Sequence, residues 1–255
     1  SDRLLEFRRD AGGFLAARVL LDGLAQPIVE ATGDMDANGF EDLAIAQLES
    51  SEVRLLPGTA AGLAAGVTLD FGGETTSLLF EDLDGDGLAE AMGTVFLQES
   101  LQVRRGVAPF SFGPPTHYNV GVGPRALGVV SLPGDGVKDL LCANAQDLSL
   151  LLGRGDGTFR GATGVTTGSE RPILVECADL DNDGDQDALA ITRYQGSLAF
   201  LENIDGELVN VLVLDLTPSS KEDSYLALAD VDVDGDVDVV VAAYASDELL
   251  VFRNQ

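Results

Sequence analysis

The sequence predicts an all-β protein, and three observations support that prediction. An acidic nine-residue loop returns every 48 to 51 residues. Short runs rich in Val, Leu and Ile flank each loop and are separated by Gly, Asp and Pro, which is typical of strands. No stretch has a sustained helical apolar period with caps, so we expect very little helix. A fixed period of this length indicates a repeat architecture.

The acidic loops share one pattern. We number them loops 1 to 5, and they read DMDANGFED, DLDGDGLAE, SLPGDGVKD, DLDNDGDQD and DVDVDGDVD from Asp34, Asp82, Ser131, Asp179 and Asp230. Loops 1, 2, 4 and 5 have oxygen-bearing side chains at positions one, three and five, Gly at position six and a carboxylate at position nine. In loop 3, Ser131 and Pro133 replace the first two acidic residues.

The order of the apolar runs is the same in every repeat. One run precedes the loop, a second follows directly, and a third and a weaker fourth come later. Four strands per repeat and five repeats predict a five-bladed β-propeller of four-stranded antiparallel blades in a single domain, residues 1–255. A parallel β-helix is disfavoured, since its calcium loops recur every nine residues or so. The expected blades are approximately 24–72, 73–122, 123–170, 171–221, and 222–255 plus 1–23.

The two ends of the chain carry copies of the same strand. Residues 1–8 read SDRLLEFR and residues 246–253 read SDELLVFR. We therefore expect the N- and C-terminal strands to share one blade, with residues 14–21 as its fourth strand and residues 1–8 as a surplus copy. That arrangement would close the ring and remove exposed strand edges. The alternative is a fragment of a longer array.

The loop pattern indicates calcium. Ca²⁺ takes six to eight oxygen ligands in flexible geometry, whereas Mg²⁺ requires a strict octahedron. An EF-hand is excluded because its twelfth-position Glu is missing. We expect about four ions, with loop 3 weak or empty. The ligands would come from positions one, three, five and nine and from the carbonyl of position seven: Asp34, Asp36, Asn38, Phe40 and Asp42; Asp82, Asp84, Asp86, Leu88 and Glu90; Asp179, Asp181, Asp183, Asp185 and Asp187; and Asp230, Asp232, Asp234, Asp236 and Asp238.

At this point the chain resembles the FG-GAP/VCBS repeat family, whose blades occur in integrin α-subunit heads. The resemblance rests on the D-x-D-x-D-G-x-x-D loop between the first two strands of a blade. It also rests on the Gly155–Phe159 turn, GDGTF. It implies a calcium-stabilised propeller used for binding. Family members usually have six to eight blades, so five blades depart from the family pattern.

Composition limits the partners. A formal net charge of −28 disfavours nucleic acid and anionic membranes, which need clustered Lys and Arg. No apolar run is long enough for a membrane span. The N-terminus lacks Met and is too charged for a signal peptide, which is consistent with a processed chain. Calcium loops of moderate affinity fill outside the cytosol, so we expect a secreted, extracellular or periplasmic protein, and a monomer.

Catalytic signals are weak. The one histidine, His117, lies in a loop-like stretch, and no nucleophile–base pair or catalytic motif is present. Arg154-Gly155-Asp156 spells an adhesion tripeptide but falls inside a hairpin turn. Cys142 and Cys177 are expected to be buried thiols, although a disulfide stays open.

Two classes of function follow. The first is a non-catalytic, lectin-like binding module or scaffold that has no enzymatic activity and engages a protein or carbohydrate ligand. The alternative is a calcium-dependent polysaccharide-active enzyme such as a lyase.

Overall fold

The computed structural model describes residues 2–6, 9–10, 13–14, 18–24, 26–48, 50–132, 136–169, 171–193, 196–216, 225–243 and 248–254. Within these residues the protein is all-β. Its one helical element is a 3₁₀ turn, Phe96–Gln98. No helix in the described part of the chain is long and apolar enough to cross a membrane.

Five antiparallel sheets follow one another along the chain, and each is a simple meander. The first contains β5 (Pro27–Gly33), β6 (Asp42–Gln47), β7 (Glu52–Leu56) and β8 (Val67–Asp70). The second contains β9 (Thr75–Glu81), β10 (Glu90–Val95), β11 (Ser100–Arg104) and β14 (Thr116–Asn119). A small hairpin, β12 (Gly106–Ala108) and β13 (Ser111–Phe112), lies between β11 and β14.

The remaining sheets repeat the plan. The third contains β15 (Ala126–Val130), β16 (Asp139–Ala143), β17 (Leu148–Leu151) and β18 (Thr163–Val165). The fourth contains β19 (Pro172–Ala178), β20 (Asp187–Thr192), β21 (Ser197–Ile204) and β22 (Glu207–Asp215). The fifth has three strands among the described residues, β23 (Tyr225–Ala229), β24 (Asp238–Ala243) and β25 (Glu248–Phe252). The predicted five-bladed β-propeller is confirmed.

The hydrophobic core lies between neighbouring blades. The second strand of each blade is the most buried, and every residue of β10, β16 and β20 is buried. Separate apolar clusters fill the spaces between blades one and two, two and three, three and four, and four and five. The first strands of successive blades pack side by side. The inner strands of the second, third and fourth sheets therefore bury both faces, which explains their near-continuous apolar runs.

The N-terminal strands pair with each other. β1 (Asp2–Glu6) runs antiparallel to β4 (Arg18–Leu24), and a short hairpin, β2 (Arg9–Asp10) with β3 (Gly13–Phe14), lies between them. Leu4 and Leu24 pack against Ile45 and Leu56 of the first blade. The pair β1 and β4 thus corresponds to the third and fourth strands of a blade, and it packs beside blade one.

The prediction that residues 1–8 are surplus needs correction, because β1 is the hydrogen-bonded partner of β4. The physical reason is local: two strands close in sequence pair with little loss of chain entropy. Among the described strand pairs, β25 is joined to β24 only. Ring closure through a shared last blade stays a prediction.

Candidate metal centre

The acidic loops occupy the same place in every blade, between the first and second strands. The last residue of the first strand always pairs with loop position nine, which begins the second strand: Gly33 with Asp42, Glu81 with Glu90, Val130 with Asp139, Ala178 with Asp187 and Ala229 with Asp238. This constant register presents loops 1, 2, 4 and 5 at equivalent positions of their blades. The sequence predicted that position nine begins the second strand, and this is confirmed.

Position one folds the loop around its own side chain. The backbone amide of the sixth-position Gly donates to the carboxylate of position one in all four acidic loops, at 2.7, 2.9, 3.1 and 3.1 Å in chain order. These glycines have φ of +84°, +89°, +99° and +105°. Positive φ is available to Gly at no steric cost, so the loop pattern requires Gly here.

A second left-handed position was missed by sequence reasoning. The fourth residue of each acidic loop also has positive φ: Ala37 at +57°, Gly85 at +77°, Asn182 at +61° and Val233 at +63°. Gly and Asn tolerate this conformation, whereas a β-branched residue is a steric outlier there. Because the side chain at this position varies, the sequence pattern gave no signal.

Three carboxylates come together in each acidic loop. One oxygen from each lies within 4.8 Å of the others in four groups: Asp34, Asp36 and Asp42; Asp82, Asp84 and Asp86; Asp179, Asp181 and Asp187; and Asp230, Asp232 and Asp234. Loops 1 and 4 thus bring together positions one, three and nine, and loops 2 and 5 bring together positions one, three and five. Like charges this close repel one another unless a cation neutralises them.

Loop 4 provides a test of whether these residues fit a metal. Oδ1 of Asp179 and Oδ1 of Asp185 are both buried and have no hydrogen-bond partner. A buried carboxylate oxygen without a partner is costly. Oxygen ligands of this kind are what Ca²⁺ binds. The donor set of loop 4 therefore fits a calcium ion.

The seventh residue of each acidic loop takes part in the hydrogen bonding of the loop itself. In each acidic loop its backbone amide donates to the fifth-position side chain: Phe40 to Asn38, Leu88 to Asp86, Asp185 to Asp183 and Asp236 to Asp234. These bonds tighten the loop. The metal-ligand role of the seventh-position carbonyls stays a prediction.

The ninth-position carboxylate is a backbone clamp in all five loops. One oxygen accepts the amide of loop position two: Met35, Leu83, Leu132, Leu180 and Val231, at 2.7, 2.8, 3.1, 3.0 and 2.8 Å. The other oxygen accepts an amide from just beyond the third strand or within it: Gly58, Gly106, Gly153, Asn203 and Asn254, at 2.6, 3.2, 2.7, 2.9 and 2.9 Å. Sequence reasoning assigned position nine to the metal alone and missed this role.

Burial makes ionisation costly for three of the clamp carboxylates, Asp42, Glu90 and Asp187. All five carboxylates are at most 1% exposed. Burial raises the pKa of Asp42, Glu90 and Asp187 above the usual range, although their two amide hydrogen bonds act in the opposite direction. The neighbouring Asp36 and Asp34 raise the pKa of Asp42 further. A divalent cation would offset this repulsion.

Loop 3 keeps the clamp but not the acidic cluster. Ser131 donates its hydroxyl to the carbonyl of Val137 at 3.1 Å, so its side chain holds the loop rather than facing an ion. Asp139 makes both clamp bonds. Pro133 and Asp135 lie outside the described residues. The retained Asp139 is explained by the clamp.

Basic side chains contact the acidic loops, and sequence reasoning missed them. Arg105 forms an ion pair with Asp84, and Arg253 forms one with Asp232. Lys138 of loop 3 pairs with Glu81 and donates to the carbonyl of Asp82 at 3.0 Å. Only the fold brings these basic and acidic groups together. The one signal in the sequence is that an arginine follows the third strand in two repeats, in Arg105-Gly106 and Arg253-Asn254.

The remaining residues singled out in the sequence, His117, Asp156 and Phe159, lie in strands or turns. His117 lies in the outer strand β14, not in a loop. Asp156 of the Arg-Gly-Asp sequence accepts the amide of Thr158 at 3.0 Å and so stabilises its own turn. Phe159 is buried against Tyr118, with ring centroids 5.7 Å apart, as expected for the FG turn.

Cys142 and Cys177 are both free thiols, and Cys142 is buried as predicted, whereas Cys177 is partly exposed. Burial raises the pKa of Cys177 to about 12, so it is protonated at neutral pH.

The fold and the loops together define a β-propeller with clusters of acidic side chains in the loops between the first and second strands of four blades. A family model described as "FG-GAP-like repeat" matches residues 132–190. The resemblance to FG-GAP/VCBS repeat propellers is thereby confirmed. No curated protein is significantly similar to the chain in sequence.

Solved structures share the fold at low identity. An Agrocybe aegerita lectin, described as recognising non-reducing terminal N-acetylglucosamine, gives a TM-score of 0.63 and 19% identity over 91% of this chain and 64% of the lectin chain. BBS1N, solved in complex with ARL6DN, gives 0.55 and 16% over 87% of this chain and 63% of the other. The V. cholerae biofilm matrix protein Bap1 gives 0.51 and 16% over 91% and 38%. This chain spans less than two thirds of each, and the likeness shows the fold alone.

Proposed function

We propose that this chain is a calcium-stabilised, non-catalytic binding scaffold that works outside the cytosol and engages a protein or glycan partner. The observation that carries the metal assignment is the buried, unpartnered oxygen of Asp179, a member of the loop 4 acidic cluster, together with a second such oxygen on Asp185 of the same loop. When bound, calcium neutralises the clustered carboxylates and cross-links the loop. The chain's own residues hold the loop in shape through the backbone bonds described above.

The proposed ligands are the side chains of positions one, three, five and nine and the carbonyls of position seven in loops 1, 2, 4 and 5. These loops lie in different blades and share no ligand residue, so their contributions to stability should add. A site with a dissociation constant near 10 μM would contribute roughly 2.7 kcal/mol at about 1 mM free calcium. Such sites fill in extracellular or periplasmic fluid, which supports the proposed location.

The first experiment is thermal unfolding with and without calcium. EDTA should lower the melting temperature markedly, and added calcium should restore it. EDTA already saturated with calcium is the control for effects of the chelator itself. Unchanged melting in EDTA, together with no calcium detected by elemental analysis, would refute the metal assignment.

The partner is proposed by class only. A rigid propeller can present a binding surface without catalytic groups, and the lectin and BBS1N structures are examples of propellers that bind a sugar and a protein. This chain has no Trp and four Tyr, so aromatic stacking on sugars has few candidates. A glycan array and a pull-down from the source organism would separate the two classes. Hydrolytic or eliminative release of sugars from a polysaccharide would contradict a non-catalytic role.

A further inference from the structure

Two arginines occupy the same structural position in two different blades. Arg105 immediately precedes Gly106, whose amide donates to the clamp carboxylate Glu90. Arg253 immediately precedes Asn254, whose amide donates to the clamp carboxylate Asp238. Each arginine therefore leaves the third strand beside the acidic loop of its own blade. The equivalent residues of the other blades are Pro57, Leu152 and Glu202.

The contact is closest in loop 2. Nη2 of Arg105 lies 2.6 Å from Oδ2 of Asp84 and 3.4 Å from Oδ2 of Asp86. The side chain of Asp84 is only 6% exposed, whereas that of Arg105 is 59% exposed. The guanidinium thus covers two of the three carboxylates that form the acidic cluster of this loop. A charge-assisted contact of this length is among the stronger hydrogen bonds in proteins.

Loop 5 has a weaker version of the same contact. Nη1 of Arg253 lies 3.5 Å from Oδ2 of Asp232, and the two side chains are 60% and 26% exposed. The longer distance and greater exposure indicate a smaller interaction energy. The same position-three carboxylate is used in both loops, so the arrangement repeats.

Loops 1 and 4 differ in two respects. Within the described residues, no lysine or arginine forms an ion pair with their carboxylates. Their acidic clusters also include the ninth-position carboxylates Asp42 and Asp187, whereas those of loops 2 and 5 do not include position nine. Among the described residues, an arginine therefore contacts the acidic clusters of loops 2 and 5 and none contacts those of loops 1 and 4.

We propose that Arg105 is a tethered cation that competes with calcium for loop 2, and that Arg253 does so more weakly in loop 5. The proposal rests on the proposed calcium-binding function. A guanidinium held against Asp84 satisfies part of the loop's negative charge in the absence of metal. Calcium must either displace this guanidinium or bind beside its positive charge. Both lower the apparent affinity of loop 2 for calcium. Loops 1 and 4 should fill at lower free calcium than loops 2 and 5.

The test is calcium titration by isothermal titration calorimetry on the full chain and on matched variants. Arg105→Gln should tighten one weak site by about fivefold, the upper end of what an exposed ion pair contributes. Arg253→Gln should tighten another by about twofold. Arg160→Gln is the control, because Arg160 is exposed just after the Gly155–Phe159 turn and its loss changes the net charge equally. It should leave all sites unchanged.

The reverse substitution extends the test to loop 4. In blade four, Glu202 lies at the position that Arg105 has in blade two. Glu202→Arg should therefore weaken calcium binding to loop 4, whereas Glu202→Gln should not. Thermal unfolding in EDTA monitors folding of every variant. If calcium binds but Arg105→Gln behaves like Arg160→Gln, the competition is refuted and calcium binding stands. If neither the wild type nor any variant binds calcium, the metal function and the competition are refuted together.

Discussion

Loop 3 and the four acidic loops share a backbone clamp but not a set of metal ligands. Asp139 of loop 3 accepts the amides of Leu132 and Gly153, as its counterparts do in every other blade. Yet Ser131, at position one of loop 3, donates to a backbone carbonyl where the other loops have a carboxylate. The comparison separates two roles that one sequence pattern combines: position nine holds the blade together in all five loops, whereas an acidic cluster forms only where positions one and three are also carboxylates.

The largest effect should come from breaking the clamp in the loop that lacks the acidic cluster. Asp139→Asn replaces a double acceptor by a group with one acceptor and one donor, which would face a backbone amide. We expect unfolding free energy to fall by about 3 kcal/mol, because a buried amide loses its partner. Urea unfolding in EDTA measures this effect without calcium.

Two variants sharpen that result. Asp156→Asn removes a charge from an exposed turn of the same blade and should change stability by less than about 0.5 kcal/mol. Asp179→Asn, at position one of loop 4, should lower stability in calcium but much less in EDTA. Equal losses for Asp139→Asn and Asp156→Asn would show that the clamp does not stabilise the blade.

An intermediate effect is expected from rebuilding the missing ligands. Ser131→Asp with Pro133→Asp restores positions one and three, next to Asp135, Gly136 and Asp139. The calcium stoichiometry should rise by one, and a site near 10 μM would add up to roughly 2.7 kcal/mol at 1 mM calcium. Equilibrium dialysis counts the ions, and the single variant Ser131→Asp is the control. An unchanged stoichiometry would mean that the loop 3 backbone departs from the others.

The smallest effect concerns backbone shape. Val233 has φ of +63° and is 86% exposed, whereas loop 2 has Gly85 at the same position. Val233→Gly should stabilise the protein by about 1 kcal/mol by relieving a left-handed β-branched residue. Val231→Gly, two residues earlier and without positive φ, should destabilise it. The gain should persist in EDTA; a gain seen only with calcium would link the fourth position to the metal instead.

Much of the architecture could be read from local pattern. The spacing of the acidic loops set the number of blades, and the apolar runs placed the inner strands, because burial on both faces demands continuous apolar residues. The glycines at position six predicted a left-handed backbone conformation, which the structure has at Gly39, Gly87, Gly184 and Gly235. The outer strands were less distinct: His117 was assigned to a loop, because the short strand β14 is polar and largely exposed.

The sequence by itself determined the repeat, the five blades and the grouping of oxygen ligands, because each of these is encoded within a few neighbouring residues. Only the tertiary structure decided which groups from elsewhere meet the loops. Sheet register brings Gly58 and Gly153 to clamp carboxylates 16 and 14 residues away, and it sets Arg105 against Asp84. It also pairs β1 with β4 rather than leaving β1 surplus. Such contacts depend on strand pairing across a blade, and residue spacing alone does not specify their geometry.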